Sequence, residues 1–179
     1  PISMGIINTT PDSFYDGGKY NSVEKALRLA EKHLKEGATI LDVGGYSSRP
    51  GANNISIDEE LKRVIPVIEA IDKNFNGPII SIDTFRSKVA KEAVNHGAEI
   101  INDISSGDLD QTMFETVSEL KVPYIMMHMK GKPIDMQINP VYKNLVVDIS
   151  ENLSKKIFNR FRIKDIMKKS ISIFLYFIF

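Results

Sequence analysis

Short apolar runs alternate with longer amphipathic stretches from residue 3 to about residue 160. Residues 3–7, 40–43, 79–82, 100–102 and 124–127 are brief and mostly apolar, rich in Ile and, less often, Val or Met. Such runs predict parallel strands covered on both faces. Between them, apolar residues recur at helical spacing. Val23, Ala26, Leu27, Ala30 and Leu34 form one stripe, with Gly37 placed to cap its C-terminus. Ser56 and Glu59 have the spacing of a capping box ahead of Leu61, Val64, Ile65, Ile68 and Ile71. Pro66 lies inside that second stripe and predicts a kink. Val89, Ala90, Ala93 and Val94 give a third helix closing at Gly97, residues 113–120 a fourth, and residues 146–158 a weaker fifth.

Repeated βα units demand a parallel sheet with right-handed crossovers, either open and doubly wound or closed as a (β/α)8 barrel. Periodicity does not choose between them. The positions of the polar residues do. Asn8, Gly44–Gly45, Asp83, Asn102–Asp103 and His128 each fall at or just past the C-terminal end of a predicted strand. Contributions from successive strands to one rim suit the mouth of a barrel. The expected fold class is therefore α/β: a partial TIM barrel of about five βα units, spanning residues 1–166. Residues 167–179 form an atypical apolar tail. It ends ISIFLYFIF after Lys168 and Lys169, too short to span a bilayer.

Composition narrows the chemistry. Lys+Arg and Asp+Glu balance at 23 each, so no basic field exists for nucleic acid, and an anion must be caught locally. Cysteine is absent, which removes disulfides, zinc thiolates and a Cys nucleophile from this chain. The opening PISMGIINTT has neither the basic n-region nor the apolar core of a signal peptide. A cytoplasmic setting is the expectation.

The candidate chemistry sits in the βα loops. The first runs from Asn8 through Thr10, Pro11 and Asp12 to Gly17–Gly18, long for a βα connection. It reads either as a polar turn or as a binding loop in which Asn8 could ligate Mg²⁺ or contact a phosphate. The second, Gly44 to Ala52, combines glycines that admit close backbone approach with Ser47, Ser48 and Arg49, which are donors for an anion. Asp83 ends an apolar strand, costly unless it caps the next helix or meets a ligand's N–H groups. Asn102 and Asp103 repeat the pattern on the next strand. Strand alternation sends one inward, and Asn102 is assigned that role. His128 reads as a packed structural residue, the methionines beside it as the lining of a flat apolar pocket, and His33 and His96 as surface. No P-loop, G-x-S-x-G, H-E-x-x-H or G-x-G-x-x-G motif occurs.

In order and spacing, MGIINTTPDSF, DVGGYSSRPGA, ISIDT, IINDI and MMHMKGKP resemble the dihydropteroate synthase family, from the first residue to about residue 165. That resemblance implies a pterin held deep in the barrel mouth. Positions matching Asp83 and Asn102 would hydrogen-bond the ring, and Ile104 and Met126 would line its slot. Asn8 would ligate the Mg²⁺ that accompanies the diphosphate. Thr10 and Asp12 in one loop, and Ser48, Arg49 and Pro50 in the other, would close over the site and help bind 4-aminobenzoate. The implied reaction joins 6-hydroxymethyl-7,8-dihydropterin diphosphate to 4-aminobenzoate, releasing diphosphate, in a homodimer. The same resemblance implies later DPGFGFGK-type, S-R-K and R-x-H segments, which this sequence does not contain. The tail is accordingly read as a truncation or frameshift, and the chain alone as inactive or a weak pterin binder. The pterin-binding barrel of a corrinoid-linked methyltransferase is a further alternative. The TPDSF and SSRPGA loops argue against it.

Overall fold

The computed structural model describes residues 2–10, 19–47, 54–131, 140–160 and 173–176. Strands and helices alternate: β1 (Met4–Asn8), α1 (Lys19–Lys35), β2 (Ile40–Gly44), α2 (Ile57–Asn74), β3 (Ile79–Asp83), α3 (Ser87–Asn95), β4 (Ile100–Asp103), α4 (Met113–Leu120), β5 (Tyr124–Met127), α5 (Leu145–Arg160) and β6 (Ile173–Tyr176). All neighbouring strands are parallel, and their order in the sheet is their order in the chain. A doubly wound sheet would reverse direction at a switch point. Here the progression never reverses, which is the path of a TIM barrel, present in part.

Local chemistry explains the helix limits. Ser56 caps α2, its Oγ accepting from the Glu59 amide at 3.1 Å. Pro66 lies within α2 without ending it. Gly37 and Gly97 follow α1 and α3 with φ of +95° and +117°, the left-handed conformation that lets a helix stop. Lys121 does the same for α4 at φ +58° without being glycine.

The sheet has two different faces. Ile7, Leu41, Val43, Ile80, Ile82 and Ile101 alternate onto one of them and join a continuous core with Ala26, Ala30, Val64, Ile68 and Val89 of the helices. Each such side chain contributes about 1.5–3 kcal/mol by leaving water. The other face carries Ile6 and Asn8, Asp42 and Gly44, Ser81 and Asp83, Ile100 and Asn102, then Ile125 and Met127, by the strand register. Ile6 stays 60% exposed there, since β1 is an edge strand.

The apolar tail does not stand apart from the sheet. Its residues 173–176 form β6, with Tyr124 opposite Ile173 and Met127 opposite Tyr176. Five βα units are thus followed by a sixth parallel strand.

Candidate functional site

Four strands end in polar or bare residues that belong to the strands themselves: Asn8, Gly44, Asp83 and Asp103. Sheet pairing puts Asn8 opposite Gly44, Gly44 opposite Asp83, and Asp83 opposite Asn102. In-register neighbours of a parallel sheet face the same way, so Asn8, Asp83 and Asn102 form one row on the face away from the helical core. Gly44 is the gap in that row. A Cβ there would stand 3.4 Å from Asp83 Oδ2 and 3.6 Å from Asn8 Oδ1, so both oxygens border the space its missing side chain leaves.

One tier deeper on the same face lie Asp42 and Ser81, opposite each other in register. Asn102 Nδ2 donates to Asp42 Oδ2 at 2.9 Å. Ser81 Oγ stands beside the same carboxylate without reaching hydrogen-bond geometry. Asp42, Ser81 and Asn102 are 4%, 0% and 8% exposed. Asp42 Oδ1, Ser81 Oγ and Asn102 Oδ1 are buried with no partner among the described residues, a concentration of unmet acceptors and donors that folded interiors avoid. Burial pushes the Asp42 carboxyl above its ordinary pKa, against the pull of its hydrogen-bonding neighbours. Asp83 is pushed up much further, first by burial and then by the charges of Asp42, Asp103 and Glu60. It has no hydrogen bond among the described residues to offset them.

Asp103 points to the opposite, helix-facing side. Its Oδ1 accepts from the Ser105 amide and hydroxyl at 2.8 Å each, and its Oδ2 from the Gly107 amide at 2.8 Å and Tyr124 Oη at 2.7 Å. This carboxylate organises the β4–α4 turn. Ser106 and Gly107 adopt φ of +51° and +76° in that turn, and a Cβ on Gly107 would meet the Phe114 ring at 2.2 Å.

Several expectations need correction. Met126 pairs with Asp103, not with the Asn102 row, and is fully buried in the helix-side core. It does not line the polar face. Ile125 and Met127 do, since strand alternation puts them there. Of the two glycines in the second loop, only Gly44 opens space at the mouth. Gly45 serves packing, because a Cβ there would stand 2.7 Å from Val64 Cγ1 of α2. His33 is half-buried against β1, with Nε2 3.2 Å from the Ile6 carbonyl oxygen, and is not free surface.

Ile104 is half-buried two residues past Asn102, and Thr10 is buried after β1. Thr9 ties that end to β2, its amide and hydroxyl both donating to the Gly44 carbonyl. Asp12, Ser48, Arg49 and Pro50 lie outside the described residues. His128 is held by Asn152 at 3.1 Å and Tyr142 at 3.2 Å, which gives its ring a positional role between β5 and α5.

The sequence reading missed Asp42 and a second buried acid, Glu60. Glu60 is fully buried and accepts from Thr84 Oγ1 and Arg86 Nη1 at 2.7 Å each. Arg86 also donates to the Ile55 carbonyl at 2.7 Å and Asn54 Oδ1 at 3.2 Å, and lies against the Tyr46 and Phe85 rings. Arg63 donates to the Gly45 carbonyl at 3.2 Å. Both ends of the second loop are therefore fastened to α2 and the start of α3. A signal existed for Asp42, a lone carboxylate within the apolar ILDVG run. None existed for Glu60, one of three consecutive acids at the start of α2.

Among the described residues, no three His, Cys, Asp or Glu side chains gather as a metal site. The oxygens of Asn8 and Asp83 beside Gly44 nevertheless suit a hard cation that takes one or two protein ligands and fills its shell with water and phosphate oxygens. No described helix is long and apolar enough to cross a membrane.

The chain is a parallel barrel in part, with Asp83 and Asn102 side by side at the ends of adjacent strands. The chain matches the pterin-binding enzyme family over residues 4–173, and it belongs to that family. Within it, the relatives are dihydropteroate synthases and folate-synthesis proteins. The chain is 47% identical over 156 residues to the dihydropteroate synthase of Haemophilus influenzae, covering 87% of this chain and 56% of that protein. It is 51% identical over 160 residues to a mitochondrial folate synthesis bifunctional protein of Pisum sativum, covering 87% of this chain and 31% of that protein. The structure superposes on the dihydropteroate synthase of Yersinia pestis in a sulfonamide complex with a TM-score of 0.83 at 39% identity, covering 98% of this chain and 62% of the other. For the Xanthomonas albilineans dihydropteroate synthase with 4-aminobenzoic acid, the TM-score is 0.82 at 36% identity, with 98% and 60% covered. The chain spans less than two thirds of each of these relatives.

Proposed function

We propose that this chain supplies the pterin-recognition side of a dihydropteroate synthase, the folate-pathway transferase that condenses 6-hydroxymethyl-7,8-dihydropterin diphosphate with 4-aminobenzoate. The observation that carries this is the pairing of Asp83 with Asn102 on one face of the sheet, Asn102 Oδ1 being buried and unpartnered and Asp83 having no hydrogen bond among the described residues. A pterin offers ring and exocyclic N–H groups in one plane, complementary to such a row. Asp83 would accept from the ring and stabilise positive charge spreading into it as the leaving group departs. Asn102 would fix the ring's rotation. Ile104 would flank it, and Met127 takes the lining role first expected of Met126.

In the reaction the 4-aminobenzoate nitrogen bonds to the pterin methylene carbon, the C–O bond to diphosphate breaks, and the amine's surplus proton passes to solvent. An aryl amine needs no activation by Ser or Cys. Asn8 would hold Mg²⁺, which when bound neutralises diphosphate charge. Thr10 and Asp12 in the first loop, and Ser48, Arg49 and Pro50 in the second, are proposed to serve the diphosphate and 4-aminobenzoate. The fastening of Gly45, Asn54 and Ile55 supports a defined footing for the second loop. A cytoplasmic setting belongs to the same proposal.

Titration of a reduced pterin into the chain tests the reading. Saturable binding that is lost in Asp83→Ala and in Asn102→Ala is expected. Binding that survives both substitutions would remove the site from this row.

A further inference from the structure

Two residues of the row, Asn8 and Asn102, are amides whose function depends on which end of the side chain faces a ligand, and for Asn102 the fold shows what sets that choice. An amide presents an acceptor on one side and donors on the other, and the two orientations recognise opposite chemistry. The structure holds one orientation: Nδ2 faces Asp42 Oδ2 at 2.9 Å, deep in the sheet and 60 residues away in sequence. An ionised carboxylate only accepts, so it binds the amide by its nitrogen and turns the oxygen to the opposite side. That oxygen is buried and unpartnered. Asp42 itself is 4% exposed, too deep to be a general surface acid. Nothing in the packing of β2 calls for a carboxylate there, since the same-face neighbours in register are Ile6 and Ser81.

We infer that Asp42 is a positioning residue: it locks the Asn102 amide with its oxygen toward the ligand, and so selects a ring bearing an exocyclic N–H donor over the same ring bearing a carbonyl oxygen at that place. The inference rests on the pterin reading above and deepens it. Asp42 need not touch the ligand. Its contribution is to exclude the flipped amide, in which a donor would face the ligand's amine.

The test compares pterin (2-amino-4-oxopteridine) with lumazine (2,4-dioxopteridine), in which a carbonyl oxygen replaces the 2-amino group and the adjacent N1 becomes an N–H, by calorimetric titration into the full chain. The unmodified protein is expected to prefer pterin by on the order of tenfold or more, the discrimination given by reversing one buried hydrogen bond. In Asp42→Asn the two amides can pair in either sense, and the preference is expected to fall to near unity. A substitution that merely loosened the fold would weaken both probes together and leave their ratio unchanged, so an unchanged ratio overturns the inference. The second measurement needs no ligand: hydrogen exchange of the Asn102 side-chain amide, followed by NMR in the free protein. Slow exchange that becomes fast in Asp42→Ala is expected, and fast exchange in the unmodified chain overturns the lock. Should neither pteridine bind while the amide stays protected, the pterin reading fails and the inference that Asp42 selects for this ligand fails with it, leaving only the Asp42–Asn102 hydrogen bond.

Discussion

Asp83 and Asp103 lie at the ends of adjacent strands and are both raised in pKa by burial, yet they are treated in opposite ways. Asp103, on the helix side, receives four hydrogen bonds that satisfy both oxygens. Asp83, on the mouth side, receives none among the described residues and sits among the charges of three other acids. One carboxylate is used to build a turn, and the other has no hydrogen bond among the described residues. A fold gains nothing from the second arrangement. The contrast separates a carboxylate that holds the molecule together from one that the proposed function puts to use.

The sharpest way to break that comparison is at Asp103. Asp103→Ala would strand the Tyr124 hydroxyl and the Ser105 and Gly107 amides in a dry turn. A loss of about 3 kcal/mol or more in urea unfolding is expected. A loss under about 1 kcal/mol would mean that the network is ornamental and the two faces are alike.

The Glu60–Arg86 pair tests the same distinction at the root of the second loop. Arg86→Ala leaves Glu60 buried with Thr84 as its remaining close partner and frees Asn54 and Ile55. A loss of about 2–3 kcal/mol is expected, because removing one member of a buried pair exposes the cost of burying the other. Limited proteolysis should open the chain first near residues 46–55. An unfolding midpoint equal to that of the unmodified chain would show the pair to be solvent-like.

At Asp83 the sign should reverse. Asp83→Asn removes a carboxylate that burial and three neighbouring acids disfavour. The variant is expected to be more stable by about 1 kcal/mol, as substitutions in preorganised sites often are. Its affinity for reduced pterin should drop about tenfold to a hundredfold, the loss expected when a charged acceptor becomes neutral. A variant both less stable and unchanged in binding would reverse the assignment of the two faces.

How far these roles could be read from the letters varies by residue. The five strands, the Ser56 cap and the polar strand ends are local features, set by composition and period over a few positions, and the chain states them openly. The phase of a strand is not local. Met126 and Met127 are chemically identical in sequence, and only pairing with β4 shows that Met126 follows Asp103 while Met127 follows the Asn102 row. Asp42 stands out as a lone carboxylate in ILDVG, but its role does not, because its partner is 60 residues away. Glu60 finds Thr84 and Arg86 only when α2 packs beside α3. The tail's Ile, Phe and Tyr suit a strand, but its place in the sheet is given only by its pairing with β5.

The last expected effect sums over buried acids of both the sheet and α2. Asp42, Asp83, Asp103 and Glu60 all have folded-state pKa values raised by burial above the ordinary 3.8 for Asp and 4.5 for Glu. The folded chain therefore holds their protons more tightly than the unfolded chain does. As pH falls from neutral, the folded state protonates first, and unfolding must release those protons, so stability rises. The gain is complete below about pH 4, where the unfolded carboxyls are protonated as well, and it is lost as pH climbs through the folded values. Asp110, lowered by its bonds to Thr112 and Ser87, works against this only below its ordinary value. Urea midpoints measured in steps from pH 7 to pH 4.5 should thus increase toward acid, by at most about 1.4 kcal/mol per pH unit for each proton taken up. Asp83→Asn should flatten the rise, because Asp83 is the most strongly raised of the carboxyls and lacks compensating bonds. If the slope is the same in that variant, the strain lies on the helix side with Asp103, and the mouth is not where this fold keeps its unpaired charge.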